Sequence, residues 1–145
     1  MSELHDTIER KFVSSIDVDE WEIWTDSGWV DVTQFHQTIE YSRWVLKTET
    51  GKYIEAADNH IVFDEHFNQI FVKDCVAGST RIMTEDGPEM VVECYDTGMH
   101  ESMYDVTVDS PDHRFYSNGI MSHNTTTAVA VTLHYIQSSV KFVKP

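Results

Sequence analysis

Three consecutive residues, His123-Asn124-Thr125, are of types that can break and remake a peptide bond. An asparagine side-chain amide nitrogen can attack its own backbone carbonyl, forming a succinimide and breaking the next peptide bond. The reaction needs a base for the amide proton and an acid for the departing amine. Histidine suits both roles because its pKa lies near neutrality. A hydroxyl on the next residue supplies a nucleophile at the same junction. The tripeptide alone occurs often by chance, so its meaning depends on its surroundings.

Those surroundings are patterned. Tyr104-Asp105-Val106-Thr107-Val108 reads as a strand with an acid inside it. Asp112-His113-Arg114-Phe115-Tyr116 and Ile120-Met121-Ser122 flank Asn118-Gly119, a strong hairpin-turn dipeptide. Farther upstream, TGKYIEAADNHIVF places His60 after a short apolar strand. Taken alone, His60 reads as a strand-end histidine satisfied by a turn.

The elements that must position these residues are short and apolar. Glu22–Thr25 and Trp29–Val32 flank Asp26-Ser27-Gly28 as a hairpin. Glu40–Thr48, Tyr53–Ala56, Ile61–Phe63, Ile70–Val72, Thr80–Thr84, Met90–Tyr95, Met103–Val108, Arg114–Tyr116 and Ile120–Ser122 continue the series. Many short strands at close spacing predict an all-β fold. Residues 3–12 read as a short helix capped by Ser2, with Arg10 and Lys11 in its last turn.

Of 145 residues, 25 are acidic and 10 basic, a net charge of −15. All 25 acids precede residue 125, and Lys141 and Lys144 come after it. So acidic a body repels phosphates, which argues against nucleic acid or an anionic membrane as partner and suits a neutral or basic peptide. Two cysteines, Cys75 and Cys94, are too few for a disulfide scaffold, and a reduced cytoplasmic setting is expected. No signal peptide or 18-residue apolar run is present. His5, His36, His66, His100 and His134 show no paired ligand spacing, so neither metal nor cofactor is expected. Trp21, Trp24, Trp29 and Trp44 read as core or docking aromatics, and the acids mostly as a solvated face.

The segment YDVTVDSPDHRFYSNGIMSHNT resembles the two closing sequence blocks of inteins, the self-splicing protein elements. TGKYIEAADNHIVF resembles the intein block that ends in Thr-x-x-His, with Ala57 at the threonine position. FVKDCVAGSTRIMTEDGPEMVV resembles the family segment leading into the final strands, in which Cys75 replaces a core leucine. The resemblance implies the Hint (Hedgehog/intein) fold, a horseshoe-like β structure with pseudo-twofold symmetry, here lacking its first strands. It implies active-site roles for His60, Asp105, His113, His123 and Asn124, with Thr125 as the acceptor nucleophile. His60 would polarise the upstream scissile amide, Asp105 would tune the transfer to Thr125, and His113 and His123 would assist cyclisation of Asn124.

No opening block with a catalytic cysteine stands before His60. The resemblance therefore implies a partner, a short N-terminal intein fragment carrying that cysteine, or else a truncated chain. Cys75-Val-Ala-Gly-Ser-Thr also resembles an opening block, which leaves a permuted intein using Cys75 as the alternative. A non-catalytic β-rich phage binding module is the rival of another class. Residues 64–100 are too few for a homing-endonuclease insert.

The composition breaks at Thr125, dividing the chain into an intein fragment, 1–124, and a downstream flank, 125–145. TTTAVAVTLHYIQ has a helical look and resembles the stretch after Gly-Lys in a P-loop, in particular that of phage large terminase subunits. A helicase or recombinase P-loop fits the same residues. SSVKFVKP carries no signal.

Overall fold

The computed structural model describes residues 12–109, 114–123 and 140–142. Ten strands run through them: β1 Phe12–Thr25, β2 Gly28–Thr48, β3 Tyr53–Ala57, β4 Ile61–Phe63, β5 Gln69–Phe71, β6 Arg81–Thr84, β7 Gly87–Val108, β8 Arg114–Ser117, β9 Ile120–His123 and β10 Val140–Phe142. No α-helix occurs among the described residues, and the expected all-β class holds. The sheet order is β10-β1-β2-β7-β6-β9-β4-β5, with β3 paired to β2 and β8 to β9.

The core lies where the long strands meet the short ones. Ile23 and Val32 of β1 and β2, Leu46 and Ile54 of the β2–β3 hairpin, and Ile82 and Phe115 are fully buried in one cluster. These are the apolar runs the sequence marks as strands. At about 25 cal/mol per Å² of apolar surface, their burial is the main stabilising term. Trp21 and Trp44 pack against this cluster, whereas Trp24 and Trp29 are 40% and 43% exposed.

β2 and β7 are far longer than their apolar runs. β7 continues through Asp96–Ser102, which the sequence leaves between two separate strands. Backbone pairing continues there without buried side chains: Trp44 faces Asp96 and Tyr41 faces Glu101. Arg43 holds the ribbon through Glu101 at 3.0 Å and Glu55 at 3.2 Å. A polar two-stranded ribbon carries no apolar alternation, so its continuity is invisible to periodicity.

Two hairpins close with the same device. Thr25 Oγ1 donates to Gly28 O and accepts from Ser27 N; Thr84 Oγ1 donates to Gly87 O and accepts from Asp86 N. The Thr-x-x-Gly spacing is therefore a turn signature that recurs in the chain.

Three expectations change. Val72 does not end a strand but opens a 3-10 turn, Val72–Asp74, because its amide bonds to His60 O and that of Lys73 to Asp58 O. Cys75 accordingly comes after that turn instead of sitting in a strand. Phe12, expected to end a helix, opens β1; residues 3–11 of that helix lie outside the described residues. The expected helix after Thr125 also lies outside them, and Val140–Phe142 form an edge strand antiparallel to Trp21–Ile23.

Candidate active site

The β8–β9 hairpin turns at Asn118-Gly119, with Ser117 facing Ile120. Both turn residues have positive φ, 48° and 83°, the type I′ geometry that matches strand twist. At Gly119 a Cβ would stand 2.9 Å from Lys52 Cε, so a side chain there would displace the lysine stem as well as adopt an unfavourable φ. Asn118 Nδ2 donates to Tyr53 O at 2.7 Å, and Glu85 N donates to Gly119 O at 2.8 Å. The turn is thus tied to β3 and to the β6–β7 turn.

β9 is buried along its length and takes β8, β6 and β4 as neighbours. Its pairing with β4 sets Val62 opposite Ser122. Two residues before Val62, His60 closes the turn after β3, its amide donating to Ala57 O at 3.1 Å. It is fully buried. His60 Nε2 and Ser122 Oγ lie 3.0 Å apart, and Ser122 Oγ donates onward to Ser117 Oγ at 3.3 Å. His60 is therefore joined to the strand whose last residue is His123.

His123 is 4% exposed, its ring 5.8 Å from that of Phe63. Successive strand residues face opposite sides, so Ser122 and His123 serve the two sides of β9. His123 is register partner to Arg114, whose guanidinium donates to Asp26 Oδ2 at 2.6 Å. His113 and Asn124, next in sequence to that pair, lie outside the described residues, as does Thr125.

Asp105 stands on the β2–β7 ribbon, on neither β4 nor β9. It is fully buried, and its Oδ1 accepts from Val106 N at 2.7 Å. Its register partner is His36. This stretch, Gln34–Gln37 against Tyr104–Thr107, is bracketed by two bulges in which β2 carries the extra residue. At one of them Thr38 Oγ1 accepts from Met103 N at 2.9 Å. His36, which spacing alone set aside, bonds Ser15 Oγ and Thr107 Oγ1, both at 2.7 Å, and stacks on Phe12. Burial lowers its pKa, which favours the neutral ring.

Neither cysteine has the setting of a nucleophile. Cys75 sits in the main core, and burial pushes its thiol up to about 12. Burial pushes Cys94 to about 11, and its Sγ donates to Val72 O at 3.1 Å. A thiol that stays protonated attacks poorly. Among the described residues, no three His, Cys, Asp or Glu side chains converge as a metal site would require.

One acid departs from the solvated-face expectation. Glu89 is 4% exposed and accepts from Thr48, Thr50 and Lys52 at 2.6–2.7 Å, with Thr84 Oγ1, whose one proton is shared with Gly87 O, at 3.0 Å. Burial opposes its charge, yet the Lys52 and threonine hydrogen bonds hold its pKa down to about 2. Ser122, Lys52 and Glu89 are not legible as site residues in the sequence, because no local spacing links them. A groove of about 490 Å³ opens beside the Asn118-Gly119 turn, lined by Trp24, Trp29, Lys52, Glu85 and Tyr116.

This architecture is the Hint fold, shared with solved inteins. The chain is similar to the VidaL intein at 27% identity, covering 71% of this chain and 69% of that one, with a TM-score of 0.66. It is also similar to a DnaB intein from Synechocystis sp. PCC 6803 at 23% identity, covering 75% and 82%, with a TM-score of 0.64. A consensus engineered intein with an atypical split site superposes with a TM-score of 0.57 at 19% identity, covering 71% and 80%. No protein-family model and no curated protein sequence matches the chain.

Proposed function

We propose that this chain is the C-terminal portion of an intein that splices in trans. One contact carries the reading: the upstream histidine, His60, is hydrogen-bonded to Ser122, in the strand that runs directly into His123 and Asn124. A β-rich binding module has no need to join these two motifs across 62 residues. The buried thiol of Cys75 speaks against a permuted intein that begins there. Residues 64–100 are taken up by β5, β6 and much of β7, which favours a splicing element without a nuclease insert.

In this reading a short N-terminal fragment on a separate chain supplies the first cysteine. Its sulfur attacks the upstream carbonyl, assisted by His60, and the amide becomes a thioester. Thr125 Oγ attacks that thioester, expelling the thiol and leaving a branched ester, with Asp105 tuning the transfer. The Asn124 side-chain nitrogen then attacks its own carbonyl carbon. The bond to Thr125 breaks, a proton passes to the departing amine, and a succinimide remains. His113 and His123 serve as base and acid. The freed amine of Thr125 finally captures the ester. Each chain acts once. The flank from Thr125 onward resumes the host protein, read as a terminase-like P-loop ATPase.

Intact mass of the chain tests this, measured alone and with a short peptide that carries several flanking residues upstream of the cysteine of an intein opening block. A ligated product plus residues 1–124 ending in succinimide is expected. Bound peptide with neither ligation nor cleavage removes trans-splicing. Cleavage unaffected by Asn124→Ala removes asparagine cyclisation, and neither peptide binding nor cleavage under any condition leaves the binding-module reading.

A further inference from the structure

Lys52 has no role in the chemistry above, yet it touches the turn on which that chemistry depends. Its ammonium donates to Glu89 Oε2 at 2.7 Å, pairs with Asp86 at 2.8 Å and reaches Thr50 Oγ1 at 3.1 Å. All three N–H bonds are therefore used. Its stem lies against Gly119, where a Cβ would meet Cε at 2.9 Å and Cδ at 3.0 Å. Glu89 in turn gathers Thr48 at the end of β2, Thr50 in the β2–β3 turn and Thr84 at the end of β6.

These contacts bring together the hairpin that leads to His60 and the hairpin that leads to His123. β2 and β3 carry the chain to the His60 turn, while the Asn118-Gly119 turn starts β9. Two other bonds tie the two units, Asn118 to Tyr53 O and His60 to Ser122, while Glu85 N to Gly119 O ties the same turn to the β6–β7 turn. The Lys52–Glu89 pair is the charged member of the set. A side chain with an aliphatic stem and a cationic end is the type that can pack on Gly119 and still bond a buried carboxylate.

We propose that Lys52 and Glu89 form a clasp that positions the Asn118-Gly119 turn and, through β9, sets His123 for the cleavage step. Lys52 is a positioning residue, acting through the turn and not on the reacting atoms. The role rests on the splicing reading above. Small displacements at a reacting centre cost rate steeply, so a clasp four residues before His123 has leverage on the reaction.

The test measures succinimide formation in the full chain with the opening-block peptide, for wild type, Lys52→Met, Lys52→Arg and Glu89→Gln. Each is assayed well below its own unfolding midpoint. Lys52→Met keeps the stem and loses the charge; it is expected to slow cleavage about tenfold or more, and Lys52→Arg to recover most of that loss. The His60 and His123 imidazole NMR signals should move in Lys52→Met and return in Lys52→Arg. Lys52→Met cleaving at the wild-type rate while fully folded overturns the clasp. So do losses in Lys52→Met and Lys52→Arg that merely track their unfolding midpoints. Wild type that forms no succinimide sinks the splicing reading instead, and the imidazole signals then still judge the geometry.

Discussion

His60 Nε2 and Ser122 Oγ, 62 residues apart in sequence, stand 3.0 Å from each other in the buried centre of the fold. The bond joins the turn after β3 to the strand that ends at His123. It is one of the contacts that hold the buried ring of His60. Ser122→Ala removes that partner and leaves a buried ring nitrogen less well satisfied. The expected cost is about 1–3 kcal/mol of stability. Thioester formation at the upstream junction, trapped with hydroxylamine, should slow several-fold at temperatures where the variant is folded. An unchanged trapping rate would separate this bond from the first step.

Glu89 predicts an acid-sensitive fold. Its pKa falls from 4.5 to about 2 on folding, so its contribution is complete above about pH 4.5 and fades as pH drops toward 2. The charges facing it are Lys52, from the β2–β3 turn, and, beyond Lys52, Asp86 of the β6–β7 turn. Glu89→Gln should lower stability at pH 7 by about 3 kcal/mol and flatten the stability curve between pH 4.5 and 2. Urea unfolding across pH reads both. A variant curve parallel to wild type would remove Glu89 as the source.

The two thiols, Cys75 buried and Cys94 half-buried, predict slow chemistry. With Cys75 raised to about 12 and Cys94 to about 11, native protein at pH 8 should react with iodoacetamide far more slowly than unfolded protein. Peptide mapping after timed alkylation measures it. Cys75→Ala should leave asparagine cyclisation within about threefold of wild type, its effect confined to a modest core-packing loss of about 1 kcal/mol. Abolished cyclisation in a folded Cys75→Ala chain would bring back the permuted reading.

Strand β10 predicts protection at the sheet edge. Lys141 Nζ lies 4.0 Å from the Trp29 ring centroid and 3.9 Å from Glu22, while its backbone pairs with β1. Lys141→Glu reverses that charge beside an acid. Hydrogen exchange at Trp21–Ile23 should quicken, by a few-fold for a loss of about 0.5–1 kcal/mol. Exchange indistinguishable from wild type would mean that the side chain does not hold the pairing.

Much of the fold is legible because its short strands are bounded by strong turn signals. Asn118-Gly119 announces the β8–β9 hairpin, and Asp26-Ser27-Gly28 announces β1–β2. Ile61–Phe63 and Arg114–Tyr116 alternate or run apolar as buried strands must. Asp96–Ser102 is not legible, since a ribbon held by backbone bonds and Arg43 ion pairs leaves no mark in hydrophobic periodicity. Val72 departs from its expected strand because its apolar side chain fits a strand or a 3-10 turn equally well, and the bond to His60 O decides between them.

The order of residues by itself determined which side chains are candidates for the chemistry: His60, Asp105, His113, His123 and Asn124, with Thr125 beyond them. Side-chain reactivity and adjacency along the chain are local properties, and a sequence displays those directly. Only the tertiary structure decided what surrounds those of them that it describes. It set His60 on Ser122, placed Asp105 opposite His36 on another ribbon, and buried Cys75 in the main core. It also drew Lys52 and Glu89 under the Asn118-Gly119 turn. Those relations depend on strand register across 30 to 70 residues, and register is settled by burial and backbone pairing that no local window contains.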